Sequence, residues 1–177
     1  MLAYVFVLLA IAVRVLSGAG VMGTMGFTPL GASLLFFGSR MPRKHFLGPL
    51  ALLMATDVYL TTRVYGMALN WDQGVVWMWY VAAFLLGSLL KDRVKPLYVA
   101  GAAFGSALSF FLMSNFAVWL AGVLYPRTLG GLTACYVAAI PFFEKGLASD
   151  LLFSAVLFSI PVLWAAMNRV PAAQRAR

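Results

Sequence analysis

Charge is scarce in this chain. Only 10% of its 177 residues are Asp, Glu, Lys or Arg, against about 25% in an ordinary soluble domain. A single cysteine, Cys135, excludes an intrachain disulfide and any Cys-rich metal site. A single histidine, His45, excludes the two-histidine zinc motifs. Paired carboxylates, a phosphate-binding loop and a metalloprotease motif are also missing, so the sequence offers no enzyme and calls for no cofactor or metal. Gly18-Ala-Gly20-Val-Met-Gly23 matches a GxGxxG pattern, but it follows an apolar helical run rather than a strand. It also lacks an acidic residue about 20 positions on, and it reads as a loop.

What the chain has in abundance is apolar surface. Hydrophobic residues make up 63% of it and its mean hydropathy is +0.93, more than a soluble domain of this length could hide. The composition predicts an all-α, polytopic membrane helix bundle: one transmembrane domain over 1–168 and a basic tail over 169–177. About six spans of ~20 residues fit the length. The net charge of +8 does not indicate nucleic acid, because the basic residues lie in short loops and the tail rather than on one face with interleaved aromatics. The apolar run Leu2–Val13 has a signal-peptide look. No Lys or Arg precedes it and Arg14 follows it, which favours a retained first span.

Six segments can cross: 2–20, 24–39, 46–66, 75–90, 97–123 and 148–168. The second carries Pro29 and Gly31 near its start, where an irregular turn is expected. Nine Lys/Arg residues (Arg40, Arg43, Lys44, Lys91, Arg93, Lys95, Arg169, Arg175, Arg177) share one side if both termini are cytoplasmic, and only Arg127 and Lys145 face the other. That asymmetry sets the orientation. The stretch 130–143 is apolar but only 14 residues long, a length that suggests a re-entrant or interfacial helix on the outer surface.

Several polar residues fall at membrane depth. A charge there costs several kcal/mol, so it faces a bundle interior or a water-filled cavity. In this threading Arg14, Arg63, Asn115 and Asp150 lie in the outer half and Asp57 near the middle. Two readings are open. In one, Arg14–Asp57 is a buried ion pair that fixes helix register while Arg63 and Asp150 reach the headgroups. In the other, the group lines an outward-facing ligand cavity. Asp57 and Arg63 are about 240° apart around a helix and cannot share a face, so Arg63 needs another partner, with Asp150 at the same level. Trp77 and Tyr80, three apart, could stack on a flat ligand or belong to the interfacial aromatic belt. Gly101 and Gly105 form a GxxxG face for helix packing, within the bundle or against another subunit. Cys135 reads as a packed small residue.

Three phrases look familiar together: Phe27-Thr-Pro-Leu-Gly-Ala32 entering the second span, Pro49-Leu-Ala-Leu-Leu-Met-Ala-Thr-Asp57 in the third, and Leu129-Gly-Gly-Leu-Thr-Ala-Cys-Tyr-Val-Ala-Ala-Ile-Pro-Phe-Phe143. They resemble a family of small bacterial membrane proteins of unknown function. More distantly, the first half is similar to the substrate-binding (S) subunits of energy-coupling-factor vitamin transporters. That resemblance implies six spans, a location in the bacterial cytoplasmic membrane, a gate in the 18–26 loop and an outer site closed by loops. It also implies partners, a coupling subunit and ATPases. The first span here departs from that family: bulky Val13, Arg14 and Leu16 stand where an Ala-xxx-Ala face would meet the coupling subunit. The expectation is a capture subunit for a small, vitamin-like solute, with Arg14, Asp57, Arg63, Trp77, Tyr80, Asn115 and Asp150 as its site. Two arginines against two aspartates predict no preference for ligand charge. The competing expectation is a non-catalytic accessory subunit of a larger membrane complex.

Overall fold

The computed structural model describes residues 1–20 and 27–167. The tail over 169–177 and most of the expected gate lie outside the described residues. Among the described residues there is no strand, and six α-helices form one bundle. They are α1 (Leu2–Gly18), α2 (Leu30–Arg40), α3 (Leu47–Tyr59), α4 (Asp72–Ser88), α5 (Pro96–Ala121) and α6 (Leu129–Met167). A 3-10 turn at Arg43–His45 enters α3, and a π-turn at Leu60–Val64 extends it. Two helix signals act as their chemistry dictates. Pro96 opens α5, where its missing N–H costs nothing, and Gly122 closes it at φ 71°, a left-handed conformation that favours glycine.

The hub is α2. Every residue from Leu30 to Ser39 is buried, and α1, α4, α5 and α6 pack around it. Two glycines permit the closest approach. A Cβ at Gly38 would sit 2.1 Å from the Phe84 carbonyl oxygen, and one at Gly87 2.3 Å from that of Leu35. The α2 and α4 backbones therefore touch, the close packing that small residues allow. Aromatic rings fill the space around them: Phe36 lies between Phe6 (5.1 Å) and Phe158 (5.2 Å), and Phe46 stacks on Phe84 at 4.1 Å. At this end of the bundle Tyr4 meets His45, and Arg40 at the end of α2 is joined by Arg43, Lys44, Lys91, Arg93 and Lys95 between the helices. We call it the basic end.

Two expectations need correction. The segment at 24–39 is described as a helix only from Leu30, and α2 has 11 residues, about 17 Å of rise. Pro29 marks its start, inside the bundle. A buried helix end must find partners for its free backbone groups, and α6 supplies them. Ser149 Oγ donates to the Thr28 carbonyl at 2.8 Å, and the Asp150 carboxylate accepts the Ala32 N–H. Gly31 makes room, since a Cβ there would be 2.5 Å from both Asp150 oxygens.

The second correction concerns 130–143, which is not a separate surface helix. It is the first part of α6, a continuous helix of 39 residues with Pro141 and Pro161 inside it, about 58 Å long. The stretch 130–143 and the segment 148–168 join through Pro141-Phe-Phe-Glu-Lys without a break, and α5 packs along the first part. The Tyr136 hydroxyl donates to the Leu112 carbonyl at 2.8 Å, Cys135 Sγ to that of Asn115 at 3.4 Å, and Phe111 packs between Tyr136 and Phe143. The α5–α6 hairpin thus extends along itself rather than folding over the bundle.

Both α5 and α6 are long and apolar enough to cross a membrane, and their most apolar windows are only 28% and 22% buried. The core helix of a soluble protein would be mostly buried. Here the large apolar side chains, among them Leu97, Phe104, Leu112, Phe116, Leu152 and Trp164, point away from the bundle.

Candidate ligand-binding cavity

Away from the basic end, the helices part around a carboxylate and a cavity. Asp57, on the last full turn of α3, is 1% exposed and accepts hydrogen bonds from two neighbouring helices. Arg14 of α1 approaches it at 2.6 Å. From α4 come the Tyr80 hydroxyl at 2.9 Å, Trp77 Nε1 at 3.0 Å and Gln73 Nε2 at 3.2 Å. Gln73, Trp77 and Tyr80 can converge because residues three and four apart share a helix face. The Tyr80 hydroxyl donates to Asp57 and accepts from the Arg14 guanidinium, closing a ring of three groups. Four donors match the roughly four lone-pair sites of a carboxylate, so Asp57 has nothing left to offer a ligand.

Beyond this ring lies a cavity of about 730 Å³. Seven aromatic residues stand in its walls: Tyr65, Trp79, Tyr80, Phe110, Phe111, Phe142 and Phe143. Its polar groups are Arg14, Ser17, Thr28, Ser114, Asn115 and Asp150, with Gly31 at the start of α2 beside them. The first part of α6, expected from the sequence to be a separate surface helix, stands along α5 as one wall.

The sequence-derived residues separate into three groups. Arg14, Tyr80, Asn115 and Asp150 line the cavity together. Asp57 and Trp77 stand behind them: Asp57 is consumed by its donors, and Trp77 turns its indole N–H to Asp57. The neighbouring Trp79 lines the cavity instead and donates to the Ser106 carbonyl at 3.1 Å. Arg63 belongs elsewhere. It sits exposed in the π-turn, does not line the cavity and forms no ion pair among the described residues. The expected Arg63–Asp150 partnership is therefore absent, because Asp150 is directed at α2. Gly101 also faces outward, with nothing within 4 Å of where its Cβ would be. The bundle-facing side of α5 is made by Val99, Ala102, Ala103 and Ser106.

Sequence reasoning missed the rings of Phe110, Phe111, Phe142 and Phe143. The two Phe-Phe pairs were a visible signal once α5 and α6 were known to be antiparallel neighbours.

The comparison with known proteins bears on most of the chain. The model of a family of unknown function, DUF6580, matches residues 1–173. The chain belongs to that family. Among curated proteins and among solved structures nothing matches. Membership in DUF6580 brings no activity with it, so the chemistry of the cavity has to be read from its own walls. A partly exposed guanidinium, an amide, a carboxylate and a collar of rings suit the binding of a small organic molecule.

Proposed function

We propose that this chain is a multi-pass protein of the bacterial cytoplasmic membrane that captures a small organic solute as the substrate-binding subunit of a transporter. The observation that carries the reading is the aromatic-walled cavity of about 730 Å³, within the roughly 300–1,000 Å³ usual for ligand pockets. It opens away from the basic end. By the positive-inside rule that end is cytoplasmic, and the cavity then faces outward.

Six segments cross the bilayer in this reading. α5 and α6 have ample length, and their apolar, outward-pointing surfaces suit lipid. In α6 the exposed pair Glu144 and Lys145 marks the outer boundary, and the turns before it stand beyond the membrane with the end of α5. α1, α4 and α3 with its π-turn have 17 or 18 residues each, near the lower limit for ~30 Å of hydrocarbon. The short α2 is admissible because protein surrounds it, and irregular backbone at membrane depth is tolerated only there or around a water-filled cavity. A cavity closed at its base by the packed basic half is a receptor rather than a channel, and uptake requires partner subunits such as a coupling protein and ATPases.

Native mass spectrometry of the protein gently extracted from its own membrane tests this. A small molecule should be retained, survive Arg63→Ala, and be lost on Gly146→Phe. Gly146 lines the cavity and has nothing within 4 Å of its Cβ position, so a side chain can start there and its ring take up cavity space. Stoichiometric large partners with no small molecule would favour an accessory subunit instead.

A further inference from the structure

We infer that the captured solute is an organic monocation, an amine or similar base, with its charge at Asp150 and its body among the aromatic rings. The inference rests on the capture reading above and adds the ligand's charge.

Arg63 is outside the cavity, so the lining carries one guanidinium and one carboxylate, Arg14 and Asp150. Their situations differ. Arg14 is neutralised by Asp57 at 2.6 Å and also bonds the Tyr80 hydroxyl. The other electropositive feature at the wall is the start of α2, and Asp150 already covers it by accepting the Ala32 N–H. Each group that would attract an anion is thus matched by a carboxylate of the protein.

Asp150 is not matched in the same way. It is 7% exposed, and among the described residues it forms no ion pair and has one hydrogen-bond donor, the Ala32 N–H. A carboxylate can accept about four hydrogen bonds, and the α2 N-terminus offsets only about half a charge. Acceptor capacity and negative charge are left over at the cavity wall. Aromatic faces add to the preference, because a ring quadrupole attracts cations held above it. Trp79, Phe111 and Phe143 line the same cavity. An anion placed there would meet Asp150 without a free cation to compensate it.

Three probes of one shape isolate charge: phenethylamine, phenethyl alcohol and phenylacetate, titrated into the purified full-length protein while intrinsic tryptophan fluorescence, to which Trp79 at the cavity wall contributes, is followed. The amine should bind at least about tenfold more tightly than the other two, a difference worth about 1.4 kcal/mol. Asp150→Asn keeps an acceptor for Ala32 and should erase that preference while leaving the alcohol's affinity within about twofold. Should that variant fail to fold, the wild-type series decides alone. Equal affinities, or tighter binding of phenylacetate, would overturn the monocation while the capture reading stands. If none of the three binds, the molecule retained in native mass spectrometry decides: a cation supports the inference and a neutral or anionic one overturns it. No binding together with no retained molecule would overturn the capture reading and this inference with it.

Discussion

At the basic end, α2 and α4 touch backbone to backbone and Phe36, Phe37, Phe46 and Phe84 fill the remaining space. At the opposite end the same helices, joined by α1, α3, α5 and α6, draw apart around Arg14, Asp57 and Tyr80 and leave about 730 Å³ between them. The closed half is filled by apolar rings and backbone. The open half spends one aspartate, Asp57, on internal order and keeps another, Asp150, at the cavity wall. Close packing in one half sets the positions from which the helices diverge around the cavity in the other.

Substitutions can break that comparison, and the greatest effect belongs to the closed half. Gly38→Ala forces a methyl to 2.1 Å from the Phe84 carbonyl. Backbone cannot yield there as a flexible side chain would, so a loss of about 3 kcal/mol or a failure to fold is expected. Thermal unfolding in detergent, followed by circular dichroism, measures it. In the open half, Asp57→Ala strands the Arg14 guanidinium and removes the acceptor of Tyr80, Trp77 and Gln73. Breaking a buried pair from one side costs about 3 kcal/mol at full burial. Arg14 is 26% exposed, and about 2 kcal/mol is expected in the same assay. Smallest is Arg63→Ala. An exposed arginine without an ion partner should shift stability by less than about 0.5 kcal/mol and leave solute retention intact. If it abolished retention, the contrast between a closed basic half and an open half centred on Asp150 would be wrong.

The closed half was poorly legible in the sequence and the open half partly so. α2 is buried all round, so it has no polar face and no periodicity to announce a hub, and Gly38 and Gly87 acquire meaning only when the two helices meet. Arg14, Asp57, Tyr80, Asn115 and Asp150 could be placed together because polar residues within the apolar runs are few and the loop charges suggest how those runs alternate. Arg63 was misplaced because level along the membrane says nothing about which way a side chain points, and the π-turn at Leu60–Val64 ends the regular phase of α3 just before it. Trp77 and Trp79 were exchanged for a similar reason: Trp77 and Tyr80 do share a face, but that face addresses Asp57 as well as the cavity. The joining of 130–143 to the segment 148–168 was hidden by Pro141 and by the charges of Glu144 and Lys145. Those signals usually mark a boundary, and the contacts of Tyr136 and Cys135 with α5 override them.

The ring formed by Arg14, Asp57 and Tyr80 also bears on how the protein is made. Arg14 emerges in the first helix, and Tyr80 follows it by 66 residues. During synthesis, which runs from the N-terminus, α1 therefore waits with its arginine unpaired until α3 and α4 have arrived. The guanidinium is a late-closing latch. Its capture by Asp57 and Tyr80 is the moment at which the first, third and fourth helices become one body, and a chain truncated before Tyr80 should lack that closure.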